Sequence, residues 1–545
     1  MTSRSFPFAL VTAFIFSCTS ARPGDDPSDP DAGDPVDPGP DAGSFWTPAW
    51  VKIIQGGLYG PSVAWSPDGT IVVAFNKGYD AAHDQIVIGA GDPGEIKLVG
   101  RFKPVVTWLG ADAGQMLRAR QVAKGPQPGG TAMLADDGVA VAAGGAVFLA
   151  GQWQHTQEFH PGTAAAVSLY AETRLVGGTW FAAYDPFITR HEMDSTPAWT
   201  RRGRTPGPIS DAWFNDAQGI APQPTGGVVV VGKYADSGFV FGDGTSGATT
   251  LVGQNGTYVA RVDDGGTPTW VGQNHRLGFY GIEVSDDGSI YAVAGVPPGG
   301  GTLLDNTNDP TAVDNDSGLE TRAVIKIGPD NQVAWVRKFV SETSTYARPH
   351  VSVSPDGRVV VTSISRGRLE ILAGDESVEV ARTASDGGEA FAASWAADGS
   401  FEWAIPLGEA VSVSDQVAIA DDGTAFLAVK VAADVASVPL EGGFEAGLPR
   451  LDGIDERARL TLLYRISADG ARESVRTLGL NLDVSGLAIA DDGRIAVTGA
   501  QHDSVPDIRV GASGGQTQNL PVPDGGDNGD DWMIHALLLD ANTVN

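Results

Sequence analysis

Ala488-Ile489-Ala490-Asp491-Asp492-Gly493-Arg494-Ile495-Ala496-Val497-Thr498-Gly499 decides the fold class. Apolar residues flank an Asp-Gly pair on both sides. Ala488 and Ile489 stand before it, and Ile495, Val497 and Gly499 follow at every second position. Alternation of period two marks a half-buried strand, and glycine accepts the positive φ that a tight turn between two strands needs. The stretch reads as a β-hairpin.

The same turn recurs along the chain. It stands at Ser66-Pro67-Asp68-Gly69, Ala135-Asp136-Asp137-Gly138, Pro224-Thr225-Gly226-Gly227, Ser285-Asp286-Asp287-Gly288, Ser354-Pro355-Asp356-Gly357 and Ala420-Asp421-Asp422-Gly423 before its last appearance at Gly493. The steps between the glycines are 69, 89, 61, 69, 66 and 70 residues. A second signature lies between these turns: an apolar run, an Asp turn and often a tryptophan shortly after. The runs are Ile86–Ile88 before Asp92, Phe181–Tyr184 before Asp194 and Trp199, and Tyr258–Val262 before Asp264 and Trp270. They continue with Ala323–Ile327 before Asp330 and Trp335, Phe391–Trp395 before Asp398 and Trp403, Leu462–Ile466 before Asp469, and Ile534–Leu539 before Asp540.

The two series alternate, so each repeat of about seventy residues carries two hairpins, or four strands. A four-stranded antiparallel sheet per repeat is the unit of a β-propeller blade. The fold expected is all-β: a single β-propeller of seven four-stranded blades over residues 45–545. The last repeat lacks its tryptophan strand. Thr47-Pro48-Ala49-Trp50 supplies one, because it matches Thr196-Pro197-Ala198-Trp199. The ring is therefore expected to close by pairing of N- and C-terminal strands, which removes an open sheet edge. The tryptophans recur at one strand position and read as packing between blades.

Thr257-Tyr258-Val259-Ala260-Arg261-Val262-Asp263 with Trp270, and Val229-Val230-Val231-Gly232-Lys233-Tyr234 with Phe241-Gly242, resemble the SBBP-type β-propeller repeats of bacterial surface proteins and lipoproteins. That resemblance implies the fold and a surface location. It implies no catalytic residue.

The N-terminus points the same way. Phe6 to Phe16 is an apolar run behind Arg4, the right length for a signal-peptide core and too short to span a bilayer. Ile15-Phe16-Ser17-Cys18 resembles a bacterial lipobox, which implies cleavage before Cys18, residues 1–17 as a lipoprotein signal peptide and a lipid on the Cys18 thiol. Thr19 at the next position leans towards the outer membrane. Residues 18–44 are rich in Asp, Pro, Gly and Ala and hold too little apolar surface to order themselves, so they read as a tether. Such acidic tethers resemble those of myxobacterial lipoproteins. Cys18 is the sole cysteine, so no intrachain disulfide forms.

Composition bounds the partners. The chain has 545 residues and a net charge of −31, and it lacks the basic stripe that nucleic acid requires. Neither a G-x-S-x-G elbow nor a P-loop appears. Asp305–Asp309 with Asp314-Asn315-Asp316, and Asp524 with Asp527–Asp531, are oxygen-rich loops. They read as polar hairpin loops, with calcium as the alternative and no other cofactor expected. The eight histidines are scattered without the spacing of a transition-metal site.

The repeat from Asp92 to Asp194 is the irregular one, and departures from a repeat are where function is grafted. A ligand site is expected on its loops, with Arg118, Arg120, Trp153, His155 and His160 as binding residues. The function expected is that of a monomeric cell-envelope module, held at the membrane by its lipid, that binds or scaffolds a protein or glycan. The alternatives are an extracytoplasmic glycan hydrolase or lyase, and an outer-membrane assembly factor.

Overall fold

The computed structural model describes residues 48–540 apart from short stretches, the longest of them 205–214, 448–458 and 520–531. The signal peptide, Cys18 and the acidic tether lie outside the described residues, as do Asp305–Asp309 and Asp524–Asp531. Among the described residues every regular element is a strand.

Most of the strands fall into seven successive antiparallel four-strand units, the second and third joined in one sheet by a parallel bridge between Asp137 and Gly219, with shorter strands added at the edges or in separate ribbons. In the first unit Gly57–Trp65, Thr70–Lys77, Lys103–Gly110 and Met116–Gln121 pair in chain order. The later units begin with Ala132–Val141, Asp216–Pro222, Gly278–Val284, His350–Val353, Ser412–Ile419 and Gly486–Ile489. The seventh is completed from the other end of the chain. Trp50–Gln55 pairs antiparallel with Trp532–Asp540, with Trp50 opposite Leu538 and Gln55 opposite Met533.

Packing between units gives a cyclic order. Each first strand lies against the first strand of the next unit, and that of the seventh returns to that of the first. The buried side chains fall into seven clusters, each shared by two neighbouring units. Ile54, Ile534 and Leu538 of the seventh unit, for example, share a cluster with Ile71, Val105 and Leu109 of the first. Strands buried on both faces need continuous apolar runs, and Val228-Val229-Val230-Val231 supplies one.

The hairpin turns repeat one geometry. The Gly288 N–H donates to the Ser285 carbonyl (2.8 Å), and the Ser285 N–H donates to the Ser289 carbonyl (3.0 Å). Asp287 Oδ1 accepts the Ser289 N–H at 2.7 Å. The aspartate of the Asp-Gly pair thus satisfies an amide that the turn leaves open, as Asx turns do. Asp422 and Asp492 do the same for Thr424 and Arg494.

Two expected turns and one expected strand fall elsewhere. Ala135-Asp136-Asp137-Gly138 is not a hairpin turn. It is bulged out within the strand Ala132–Val141, opposite Ala150. The hairpin closes at Ala142–Ala146, with Gly145 at φ +80°. This replaces the glycine steps of 69 and 89 residues by 76 (69 to 145) and 82 (145 to 227). Asp92 belongs to no blade turn. Ile86–Ile88 pairs with Ile96–Leu98 in an added ribbon, and the hairpin of that unit turns at Gly110–Gln115. Phe181-Ala182 likewise lies in a ribbon with Arg174 and Thr173, and the strand before the Asp194 turn is Asp185–His191. In the last two cases a short apolar ribbon has the same period as a strand of a four-strand unit, so periodicity does not separate them.

Four of the repeat tryptophans tie their unit to the next. Trp50 Nε1 donates to the Ala111 carbonyl (2.6 Å), Trp199 to Asp264 (2.9 Å), Trp335 to Ala397 (3.1 Å) and Trp403 to Ala468 (3.0 Å). Each acceptor sits in the second hairpin turn of the following unit. The indole lies over a glycine of that turn, so closely that a Cβ on Gly114, Gly266, Gly399 or Gly470 would come within 2.6–2.9 Å of the ring. Arg201 and Arg337 stack on Trp199 and Trp335 and donate to the Gly266 and Gly399 carbonyls.

Candidate functional site

Side chains from the first strands of units that are not neighbours in this order meet at a common centre. Units two and six are not neighbours, yet Gln416 Nε2 donates to Asp137 Oδ1 at 2.8 Å. Units two and five are not neighbours either, yet Arg348 pairs with the Asp136 carboxylate. Only across the middle do such contacts form.

The bulge in the second unit is what sends both aspartates inward. Ser62 of the first unit holds it in place: its hydroxyl donates to the Asp136 carbonyl (2.6 Å) and accepts the Gly138 N–H (3.1 Å). Glycines leave room around it. A Cβ on Gly60 would lie 3.5 Å from Asp136 Oδ1, and one on Gly281 would lie 3.8 Å from Asp137 Oδ2.

Titration divides the carboxylates. Burial pushes Glu283 up to about 8, the nearby Asp137 charge adds to the rise, and a hydrogen bond from the Val284 backbone opposes it. Desolvation disfavours the charged form of an acid, and a second carboxylate disfavours it further. At neutral pH Glu283 therefore carries its proton while Asp137 accepts the Gln416 amide. Asp216 is also raised by burial, against the opposing pull of Lys233. At the same end of the strands the Tyr280 hydroxyl donates to Glu320 Oε1 (3.0 Å), and Arg322 lies over the Tyr280 ring at 4.7 Å. The centre thus offers ionised carboxylate, protonated carboxyl, amide and guanidinium groups in one space.

The residues singled out in the sequence lie apart from this centre, and the structure divides them. Arg120 and His160 line one cleft between the first and second units. Arg118 donates to the Met193 carbonyl at the same boundary. Trp153 is fully buried against Phe159 and belongs to the core. His155 is exposed at a bend with φ +55°. Of the oxygen-rich loops, Asn315 is described and acts within its own turn: its amide donates to the Val296 and Leu319 carbonyls, both at 2.7 Å.

Asp137, Glu283, Arg348 and Gln416 escaped the sequence reading. They come from four units and have no local spacing in common. One signal did exist. The 89-residue step after Gly138 was out of line with the other repeats, which marks Asp136-Asp137-Gly138 as something other than a turn.

No protein-family model and no curated protein matches the chain. Solved structures give distant likenesses. A protein of unknown function from Dyadobacter fermentans is 12% identical, covers 91% of this chain and 98% of its own, and has a TM-score of 0.33. A protein of unknown function from Bacteroides caccae is 10% identical over 69% of this chain and 90% of its own, with a TM-score of 0.28. The polysaccharide lyase Uly1 is 11% identical over 74% and 90%, with a TM-score of 0.29. Superpositions this loose carry no functional argument, and the architecture rests on the strand pairing itself.

Proposed function

We propose that this chain is a cell-envelope lipoprotein, acylated on Cys18, whose residues 45–545 form one seven-bladed β-propeller that binds a glycan at its centre. The propeller reading draws support from the cyclic order of the seven shared clusters and from the N-terminal strand that completes the seventh unit. The observation that carries the binding site is the reach of Gln416 to Asp137 across the ring. Carboxylate, amide and guanidinium groups are planar and present paired acceptors or donors, which suit the vicinal hydroxyls of a sugar. A polyhydroxylated neutral ligand satisfies such mixed groups without adding charge to a centre that already holds several carboxylates.

The test is binding of neutral oligosaccharides to the purified protein, followed by calorimetry with the best of them. Asp137→Asn keeps the shape of the side chain and is expected to weaken binding by about tenfold or more, roughly 1.4 kcal/mol. Capture of an envelope protein with no response to any oligosaccharide would replace the glycan with a protein partner. In fractionation, Cys18→Ala should move the protein out of the membrane fraction; retention there would sink the anchor.

One observation favours a glycan-cleaving enzyme as the second reading. Glu283 is held up to about 8 beside the Asp137 carboxylate, and a pair of carboxyl groups set apart in this way can divide the roles of general acid and base. Release of new chain ends from an oligosaccharide, abolished by Glu283→Gln with binding intact, would establish it over the binding module.

A further inference from the structure

The cleft between the first and second units is a separate place, on the outer side of the strands that form the centre. It has a volume of about 210 Å³. Lys97 stands on the added ribbon, Arg120 on the last strand of the first unit, and His160 and His191 on the second unit, with Gln121 and Thr163 between them. Among the described residues no carboxylate lines it. In a chain with 67 acidic and 36 basic residues that is unusual. Lys97 and Arg120 are exposed, and neither forms an ion pair among the described residues. Asp194 is within electrostatic reach of Arg120, but its carboxylate accepts the Thr196 N–H at 2.8 Å, and that bond holds its pKa down.

The two histidines stand edge to face, with ring centroids 4.9 Å apart. His160 is tied down. Its Nε2 lies 2.7 Å from Thr189 Oγ1 and 2.9 Å from Thr200 Oγ1. The Thr189 hydroxyl also donates to the Trp199 carbonyl at 2.9 Å. His191 differs. It is 1% exposed, and among the described residues neither ring nitrogen has a hydrogen-bond partner of good geometry, although the Ser195 backbone acts on the ring. Burial holds it down to about 3, with His160 adding to the shift and the Ser195 backbone offsetting little of it. A neutral imidazole keeps one N–H whichever tautomer it adopts. A buried donor without a well-placed acceptor is costly, and a ligand carrying an acceptor would recover that cost.

We infer that this cleft binds a small anion, a phosphate or carboxylate group, with the His191 N–H as its buried donor and Lys97 and Arg120 as its counter-charges. The chemistry is shared by a phosphate ester and by a sugar acid, and one ring of the latter fits the volume. The inference stands independently of a glycan at the centre of the ring.

The experiment is a titration of the full-length protein with inorganic phosphate, with glucuronate and with glucose, following the imidazole 1H–15N resonances of His160 and His191. Saturable shifts with an anion, silence with glucose, and affinity weakened by about tenfold in Arg120→Gln are expected. The tighter of the two anions tells the ester from the sugar acid. Arg120 is exposed, so its replacement leaves the fold intact, and Lys97→Gln is a second variant of the same kind. A response to glucose equal to that of glucuronate would overturn the inference. So would affinity unchanged in both variants, or unmoved histidine resonances with both anions.

Discussion

His160, His191 and His535 are buried, and burial holds them down to about 4, 3 and 4. An unfolded histidine titrates near 6.5. Between pH 6.5 and 4 the unfolded chain therefore takes up protons that the folded one refuses, and stability falls with acidification. Glu283 has the opposite sign. Held up to about 8 by burial, it keeps its proton in the fold after the unfolded carboxyl has lost it, so it removes stability as pH rises from about 4.5 to 8. Three groups outweigh one on the acid side, and Glu283 acts against the fold from pH 6.5 to 8. Thermal melts across pH 4–8 should show a maximum near pH 6.5; above pH 8 Lys103, held down to about 8 by burial, restores stability as pH rises. Glu283→Gln should flatten the alkaline limb to pH 8 and steepen the acid one; an unchanged limb above pH 6.5 would show that Glu283 is ionised in the fold. Arg348 is the matching test of charge at the centre. Arg348→Met leaves the Asp136 carboxylate without its cation, and about 1 kcal/mol or less is expected from so exposed a pair, read by chemical denaturation.

At the scale of one element, the link between a tryptophan and the next turn is the repeated device. Gly399 has φ +82°, and a Cβ there would stand 2.8 Å from the Trp335 ring. Gly399→Ala meets both the backbone restriction of an L-residue and a clash with an indole held on its far side, so a loss of about 2 kcal/mol or more is expected in denaturant melts. Trp403→Ala removes a ring that is 8% exposed and leaves the Ala468 carbonyl without its donor, for a loss of about 3–5 kcal/mol. The turn residues make a sharper comparison. Gly145 turns the hairpin at positive φ, whereas Gly138 sits in the inward bulge, where a Cβ would lie 2.7 Å from the Ala135 carbonyl. Gly145→Ala should lower stability alone. Gly138→Ala should also disturb the Asp137–Gln416 contact and with it oligosaccharide binding.

For the whole molecule the question is closure. Trp50–Gln55 covers one edge of Trp532–Asp540, places Trp50 on Ala111 of the first unit and contributes Ile54 to the cluster between the seventh and first units. Removing residues 44–56 should expose that edge and uncouple two units, lowering the melting temperature of the entire domain and promoting association through the bared strand. A truncated protein that melts like the full chain would show that the seventh unit stands without its N-terminal strand.

The strand content, the two alternating hairpins and the supply of a missing strand by Trp50 were legible in the sequence, because they rest on local properties. Period-two alternation and the turn preference of Asp-Gly act between residues a few positions apart. The errors at Asp92, Gly138 and Phe181 are local too, since a short ribbon or an inward bulge uses the same residue types as a blade strand or its turn. The centre was not legible. Asp137, Glu283, Arg348 and Gln416 share no motif, and they meet because packing between sheets sets seven first strands in a ring. The cleft was half legible: the irregular repeat pointed to Arg120 and His160, but His191, Lys97 and the core position of Trp153 depend on how the first unit packs on the second. Local chemistry thus determined which strands form and how they turn. Which side chains face one another was decided by tertiary packing, since the first strands are far apart in the chain and burial of their shared apolar faces alone brings them together.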